Sequence, residues 1–338
     1  MTSEPHGHVD RDTHVDRDSY YAVILGAGMA GLAAGIRLAM FGKRVAIFEK
    51  HGKLGGLNSY YKHRGIDMDV GLHAVTNFAP KGDRRRPLSR LLRQLRLRHD
   101  DLGLFEQVAS EIRFPQGTIR YENGLDSFRA GVLDTFPEQL AALDRLIERV
   151  RDQAEAALQT APQRFVSSRA IMQELGISPE LREMLLCPIQ YYGSAWEHDI
   201  DFDQFTIMWD ALFVEGLARP REGVRRIIRL LEQAYLSHGG ELELKAPVAR
   251  LHVDPAHAVV TGVELASGRI VRSDMVISSA GAVETERLRS DRPSDALSDE
   301  LGALSFVEAM AVLDRPPHDL GVDAAIVFFS TTERFTYR

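Results

Sequence analysis

The chain has 338 residues, of which 44% are hydrophobic, and carries 41 lysines and arginines against 48 aspartates and glutamates. Its formal net charge of −7 gives no overall attraction to nucleic acid. The single Cys187 excludes an intrachain disulfide and a cysteine-based zinc site, which is typical of an intracellular protein. We therefore expect a cytoplasmic globular protein, and roughly 100–200 residues per domain allows two domains.

Residues 1–18 form a polar tail in which the sequence His-Val-Asp-Arg-Asp occurs twice. The low apolar content is typical of a solvated, mobile arm rather than of a metal site. The tail also lacks the positive and apolar regions of a signal peptide. Because no metal-ligand spacing occurs elsewhere in the sequence, we predict no metal site.

Residues 20–36 carry no charge and approach the length of a membrane-spanning helix. The β-rich start and the glycines indicate instead a strand over 20–25, a turn, and a helix from Met29 to about Phe41. Gly26, Gly28 and Gly31 form a Gly-x-Gly-x-x-Gly pattern between the strand and the helix. In this context the pattern is typical of a dinucleotide-binding turn, with the phosphates at the helix N-terminus. The predicted contacts in this turn are Gly26, Gly28, Met29, Ala30 and Gly31.

A second apolar strand, residues 44–48, follows the helix and ends in Glu49. At this distance from the glycines a carboxylate accepts hydrogen bonds from both ribose hydroxyls of a dinucleotide. Glu49 would also repel a 2′-phosphate, which argues against NADP. The order of strand, turn, helix and strand favours a dinucleotide site over a purely structural glycine turn.

A glycine doublet, Gly55-Gly56, follows Glu49, and a further segment ends in Asp69-Val70-Gly71. A domain that binds only NAD has no need for this doublet. Together these motifs resemble the FAD-dependent phytoene desaturase and carotenoid isomerase group, within the amine oxidase-like flavoproteins. The resemblance implies FAD as cofactor, with the doublet against the pyrophosphate and Asp69-x-Gly71 close to the flavin ring. It adds the following cofactor contacts: Lys50, Gly55, Gly56, Leu57, Asn58, Val248 and Ala280.

The resemblance resumes from about residue 216 to 281. A helix is predicted over 225–237, followed by a strand over 246–251 that matches the adenine-contacting strand of the family. A hairpin turning at Ser267-Gly268 follows, and residues 274–281 resemble the strand that returns to the cofactor domain.

The predicted fold class is α/β, with a Rossmann-like FAD-binding domain, a β-meander and an inserted α+β substrate domain. The FAD-binding domain is assigned to residues 19–75 and 216–285. The substrate domain is assigned to residues 76–215 and 286–338, after the tail of residues 1–18.

The predicted substrate domain contains a hairpin over 113–121 and a helix over 137–158 with apolar residues at helical spacing. Two further apolar and aromatic segments cover 184–192 and 202–214. If the family resemblance holds, such segments line a cavity for a long hydrocarbon. For any single residue, packing in an ordinary core is an equally good explanation.

Residues 81–98 contain eight basic residues and one acidic residue, Asp83. Leucines recur there at helical spacing and are flanked by Arg90, Arg93 and Arg96. This pattern suits a helix on an anionic membrane surface, and equally a helix packed on its own domain. The segment is short and lacks interleaved aromatics, so we expect no nucleic-acid binding.

Members of the resembled family are longer and carry, near the C-terminus, a glycine-rich segment that closes over the flavin. After Gly281 this sequence has only Gly302 and Gly321, and an apolar strand is predicted over 324–330. Three explanations stay open: a fragment, a shorter protein that holds FAD poorly, or a site completed by another chain.

The resemblance implies an FAD-dependent oxidoreductase that acts on an apolar polyisoprenoid, such as a carotenoid precursor, by desaturation, isomerisation or saturation. In this chemistry the flavin exchanges a hydride with an allylic carbon, and the protein supplies orientation and a dry cavity. His73 is the one candidate for proton transfer or flavin contact, although a buried histidine paired with backbone is the favoured explanation. Asp69 has the same two interpretations, and Cys187 is expected to be a buried small hydrophobe.

Two other functions stay open. An amine oxidase-like flavoenzyme would oxidise a C–N bond in a polar pocket lined by aromatic residues. A non-catalytic relative would bind a prenyl or lipid chain without flavin, as do the Rab GDP-dissociation inhibitors, which resemble the same fold family. The flavin content separates this binder from both enzymes.

Overall fold

The computed structural model describes residues 18–71, 73–157, 164–192, 194, 196, 198–254, 256–257, 259–291 and 307–336. The predicted mobile tail therefore lies outside the described residues, apart from Asp18.

Fifteen strands occur in the described part of the chain, numbered here in chain order: β1 Ser19–Tyr20, β2 Ala22–Leu25, β3 Val45–Glu49, β4 Tyr60–His63, β5 Ile66–Asp69, β6 Leu104–Glu106, β7 Ser110–Phe114, β8 Gly117–Tyr121, β9 Ala218–Pro220, β10 Glu241–Leu244, β11 Val248–Asp254, β12 Val259–Leu265, β13 Ile270–Ser273, β14 Val276–Ser278 and β15 Ile326–Phe329. The α-helices of the same residues are α1 Met29–Ala39, α2 Pro87–Gln94, α3 His99–Leu102, α4 Leu125–Thr135, α5 Leu140–Ala157, α6 Ser168–Glu174, α7 Pro179–Tyr191, α8 Phe202–Trp209, α9 Val224–Ser237 and α10 Ala282–Arg287. Short 3₁₀ turns cover Gly56–Asn58, Pro137–Gln139 and Pro317–Leu320, and a π-helical turn covers Asp210–Val214.

The chain divides into two compact units. The first unit combines Met1–Ser59 with Ile228–Gly302, and the second combines Tyr60–Ile227 with Ala303–Arg338. The first unit is thus interrupted by the second, at boundaries that differ from the predicted ones at residues 75, 216 and 285. The assignment of FAD to one unit and substrate to the other stays a prediction.

The first unit contains a parallel sheet with the strand order β10-β3-β2-β14. Helix α1 connects β2 to β3, which pair in parallel, as in a Rossmann-type unit. All residues of β2 and β3 are buried, as expected for a parallel sheet that is covered on both faces. The Tyr235 hydroxyl links α9 to this sheet, because its single proton is shared between the carbonyls of Val45 and Glu241, at 2.8 and 2.9 Å.

A second sheet of the first unit has the order β1-β13-β12-β11 and contains the predicted meander. Strands β11, β12 and β13 pair antiparallel, and the hairpin turns at Gly268, whose φ is +85°. With the parallel sheet, this meander confirms the predicted α/β fold class.

The second unit contains the sheet β15-β7-β8, in which β7 and β8 form the predicted hairpin and β15 pairs parallel with β7. Residues of helices α4, α5, α7 and α8 share a large buried core with this sheet. Phe128 lies inside that core, stacked on Phe213 at a ring-centroid distance of 4.0 Å and edge-on to Trp209 at 5.6 Å.

Some predicted boundaries are wrong for local reasons. The predicted strand 20–25 is two strands, because β1 pairs with β13 while β2 pairs with β3 in the other sheet. Helix α1 ends at Ala39 rather than near Phe41, because the N–H groups of Phe41 and Gly42 bond to carbonyls three residues earlier. Strand β11 begins only at Val248, since the Ala246 N–H donates to the Glu49 carbonyl at 2.9 Å.

Candidate functional site

The turn between β2 and α1 is tightly packed on one side and open on the other. A Cβ added at Gly31 would lie 2.1 Å from the Gly26 carbonyl oxygen, so only glycine allows the helix to approach the turn this closely. A Cβ added at Gly28 would meet no atom within 4 Å. The open side at Gly28 is where a ligand can approach the backbone.

The N-terminus of α1 is free to bind an anion. Helix α1 has 11 residues, and its N-cap Gly28 makes no side-chain cap hydrogen bond. The first turn, which begins with Met29 and Ala30, also contains no acidic residue. Its N–H groups and the positive end of the helix dipole are therefore suited to a phosphate.

Glu49 ends β3 beside this turn and is 4% exposed. Its carboxylate accepts hydrogen bonds from the N–H groups of Ala27 and His51, each at 2.8 Å. Each carboxylate oxygen keeps a second lone pair for a further donor. Glu49 is thus fixed next to the glycine turn with acceptor capacity left for ribose hydroxyls.

The glycine doublet lies against the same turn. Gly28 and Gly55 form a parallel bridge, and the Gly55 N–H donates to the Ala27 carbonyl at 2.9 Å. A Cβ added at Gly56 would lie 3.4 Å from the Gly28 Cα. The structure therefore brings Gly26, Gly28, Glu49 and the doublet together in one loop cluster, as the sequence predicted.

The other predicted contacts surround this cluster less directly. Lys50 is exposed directly after Glu49. Leu57 and Asn58 belong to the 3₁₀ turn that follows Gly55, and Leu57 is 90% exposed. Val248 begins β11, and Ala280 is exposed just beyond β14. Their role in cofactor binding stays a prediction.

Two residues of the cluster were missed from the sequence. The Ala27 N–H is the donor that orients Glu49. The Ser279 hydroxyl donates to the Leu25 carbonyl at 2.9 Å and lies 3.3 Å from the Gly26 carbonyl. It therefore ties the strand end after β14 to the turn, and its position beside the predicted Ala280 was the available signal.

A family comparison identifies the cofactor class. The model of the family described as flavin containing amine oxidoreductase matches residues 29–329. The chain belongs to this family. A flavin together with a site built for a dinucleotide identifies FAD as the cofactor, and the open Gly28, the uncapped α1 and the available Glu49 oxygens fit it. The family match confirms the resemblance predicted from the glycine motifs.

Several curated proteins are similar to the chain. All-trans-retinol 13,14-reductase of Rattus norvegicus is 26% identical over 304 residues, covering 78% of this chain and 48% of the relative. A 4,4′-diapophytoene desaturase of Methylomonas sp is 26% identical over 287 residues, covering 77% and 53%. The chain spans about half the length of these curated relatives.

Solved structures show the same fold. An oxidoreductase from Methanosarcina mazei aligns with a TM-score of 0.62 and 19% sequence identity, covering 82% of this chain and 63% of that one. This likeness supports the predicted fold.

We expect Glu49→Ala to weaken FAD binding about tenfold to a hundredfold, because a charged hydrogen-bond acceptor contributes about 1.5–3 kcal/mol. The dissociation constant is measured by flavin fluorescence on titration of the apoprotein. Glu243→Ala is the matched control, since it removes an exposed carboxylate of the same unit that pairs with Arg269. Unchanged FAD affinity in Glu49→Ala would remove Glu49 from the site.

In the second unit, the buried Asp69 is the centre of an ion cluster whose other members are partly exposed. Asp69 is 6% exposed, and its carboxylate lies 3.0 Å from Arg219 Nη2 and 3.4 Å from Arg225 Nε. Arg225 also contacts Asp67 at 2.7 Å. A Cβ at Gly223 would lie 1.8 Å from an Asp69 oxygen, so a glycine is required beside this carboxylate. Of the two interpretations of Asp69, the cluster supports a structural role.

The favoured interpretation of His73 as a buried histidine paired with backbone is wrong. Its side chain is 48% exposed, and Nε2 contacts the carboxylate of Glu308. The His73 carbonyl accepts a hydrogen bond from Arg219 Nη1 at 2.7 Å. Residues 70, 71 and 73 belong to no helix or strand. A role of His73 in proton transfer stays a prediction.

The aromatic segment 202–214 is packed core in this structure. Phe205, Trp209 and Phe213 are each at most 1% exposed, and their rings contact one another. Burial also raises the pKa of Asp210, at the start of the π-helical turn, and the charge of Glu215 raises it further. Of the two explanations given by the sequence, the ordinary core applies to these three aromatic residues.

Cys187 is 3% exposed in α7, which confirms its interpretation as a buried small hydrophobe. Burial raises the pKa of its thiol to about 12, and the charge of Glu183 adds to this. Because the thiolate is the reactive form, we expect the folded protein to react with a thiol reagent at least about a hundredfold more slowly than the urea-unfolded protein. A colour-forming disulfide reagent measures this without ambiguity, since the chain has a single cysteine. Equal rates in both states would contradict the buried position.

Helix α2 shows how the basic segment packs. Leu92 and Leu95 are 5% and 3% exposed, whereas Leu91 is 48% exposed. The leucine stripe therefore packs mainly on its own unit. Arg90 and Arg93 are exposed and have no ion-pair partner within the described ranges.

Two features of the described residues bear on metals and membranes. They contain no group of three or more histidine, cysteine, aspartate or glutamate side chains placed to hold a metal ion. Every helix in the same residues is too short or too polar to cross a bilayer.

Proposed function

We propose that the chain is part or all of an FAD-dependent oxidoreductase that acts on an apolar polyisoprenoid by desaturation, isomerisation or saturation. The observation that carries this proposal is the loop cluster of Gly28, Glu49 and Gly55 in a chain of the flavin-containing family. Relatives named for retinol and diapophytoene, both polyenes, support the substrate class.

The residues of the first unit bind and orient the cofactor. Glu49 accepts the ribose hydroxyls, while its bonds from Ala27 and His51 hold the carboxylate in place. The N-terminus of α1 and the open face of Gly28 receive the pyrophosphate. When bound, FAD supplies the hydride chemistry between an allylic carbon and the flavin ring.

The residues of the second unit supply an apolar environment for the hydrocarbon. This unit is rich in aliphatic and aromatic side chains, although Phe205, Trp209 and Phe213 pack against one another, and a polyene offers few groups for polar recognition. We assign substrate binding to this unit and cofactor binding to the first unit. His73 is the one candidate for moving a proton, and its contact with Glu308 would hold the ring orientation.

The first experiment is the visible absorption spectrum of the purified protein, with identification of any released cofactor. Stoichiometric FAD is expected, and bleaching or reoxidation of the flavin by polyenes under anaerobic conditions then tests the substrate class. Absence of flavin even after reconstitution with excess FAD contradicts an oxidoreductase and favours a lipid-binding relative. Reduction of bound FAD by amines but not by polyenes favours amine oxidation.

We further propose that the basic segment 81–98 contacts an anionic membrane surface. Arg84, Arg90, Arg93 and Arg96 are exposed without an ion-pair partner in the part of the chain that the structure describes. Each such residue contributes roughly 1 kcal/mol near an anionic bilayer. The exposed Leu91 gives an apolar contact between these arginines. Cosedimentation with phosphatidylglycerol vesicles that falls steeply with salt is the expected result.

A further inference from the structure

The second unit has an open cleft of about 330 Å³ directly beside the basic segment. Its volume is at the small end of ligand sites, which span roughly 300–1,000 Å³. The cleft is lined by Phe78, Pro80, Lys81, His99, Asp100, Gly103, Leu104 and Glu106. Lys81 begins the basic segment, and His99 and Asp100 follow its last arginine.

The charged groups of the cleft have both signs. Lys81 Nζ lies 2.8 Å from an Asp100 oxygen, and the two side chains are 73% and 47% exposed. An ion pair with this exposure is weak, because water competes for both partners. Glu106 adds a second carboxylate, whose side chain meets Asn123 at 3.5 Å. The cleft therefore presents one ammonium and two carboxylates that a ligand can reach.

Hydrogen bonds to backbone carbonyls hold the walls of the cleft in place. His99 Nε2 lies 2.7 Å from the Ala79 carbonyl, which can only accept, so Nε2 carries the proton. Arg226 Nε donates to the Asp101 carbonyl at 2.6 Å and holds the loop that ends at Gly103. Phe78 is 6% exposed and gives an apolar wall. The charged side chains of the cleft therefore extend from backbone that these contacts hold in place.

We propose that this cleft binds the zwitterionic headgroup of an aminophospholipid, with the phosphate at Lys81 and the ammonium at Asp100 and Glu106. Such a ligand offers Lys81 a phosphate in place of Asp100, and it offers the two carboxylates one shared ammonium in place of Lys81. A simple anion would take Lys81 and leave two carboxylates without a counter-charge. This inference rests on the membrane contact proposed above, in which the neighbouring arginines bind anionic lipid.

The test compares binding of the full chain to two vesicle preparations with the same phosphatidylglycerol content. One is completed with phosphatidylcholine, whose ammonium is methylated and cannot donate hydrogen bonds, and the other with phosphatidylethanolamine. We expect about tenfold tighter binding to the phosphatidylethanolamine vesicles. Asp100→Asn combined with Glu106→Gln should abolish this preference and retain the dependence on phosphatidylglycerol.

Arg90→Gln is the matched control, because it should weaken binding to both vesicle types by the same factor. Equal binding of the unaltered chain to both vesicles overturns the cleft assignment but leaves the membrane proposal intact. A preference that survives in the double variant also overturns it. Binding of soluble glycerophosphoethanolamine, seen as NMR shifts at Lys81 and Glu106, without any vesicle preference would identify a free zwitterion instead of a lipid.

Discussion

Gly28→Ala is expected to lose FAD while keeping its stability. The added Cβ meets no protein atom within 4 Å, and the φ of Gly28, −71°, is ordinary for alanine. The free energy of unfolding should therefore change by less than about 0.5 kcal/mol. The same Cβ occupies the open face where the pyrophosphate approaches, so FAD affinity should fall by about a hundredfold or more.

Gly31→Ala is the matched variant in the same turn. Its Cβ would lie 2.1 Å from the Gly26 carbonyl oxygen, which forces the helix away from the turn. Overpacking of this kind costs about 1–3 kcal/mol, so this variant should lose both stability and FAD. Flavin content after purification and the thermal unfolding midpoint measure the two effects separately. Stoichiometric FAD in Gly28→Ala would show that the phosphates bind elsewhere.

The dinucleotide loop could be predicted from the sequence because its determinants are local. The spacing of Gly26, Gly28 and Gly31 and the strand that ends in Glu49 lie within 24 residues, and the structure brings them together as expected. The missed part, Ser279, reaches the Gly26 carbonyl from 253 positions away. A hydroxyl that ties two strand ends together leaves no periodic signal in a single sequence, and only its place next to the predicted Ala280 pointed to it.

The second unit was less predictable for a related reason. Asp69 contacts Arg219 across 150 positions, and the need for Gly223 follows only from the approach of this carboxylate. His73 follows the strand assigned to the flavin side and was expected to be buried, but the sequence does not show whether another element covers it. Likewise, the apolar period of residues 202–214 predicts burial without indicating whether the side chains face each other or a cavity.

Trp209→Ala separates these two possibilities for the aromatic segment. Trp209 is 1% exposed, with its ring 5.0 Å from that of Phe213 and 5.7 Å from that of Phe205, measured between centroids. Truncation of a packed tryptophan costs about 3–5 kcal/mol, a large share of the roughly 5–15 kcal/mol that stabilises a typical domain. At typical urea dependences, the unfolding midpoint should fall by about 1–2 M.

The sequence provides its own control for this experiment. Trp196, the other of the two tryptophans, is 52% exposed and contacts Phe165 at a centroid distance of 4.3 Å. Trp196→Ala should therefore leave the midpoint nearly unchanged in the same urea titration, followed by far-ultraviolet circular dichroism. If Trp209→Ala unfolds at the same urea concentration as Trp196→Ala, the segment is not tightly packed. Residues 202–214 would then border a space for the hydrocarbon, because an aromatic ring next to a cavity loses fewer contacts on truncation.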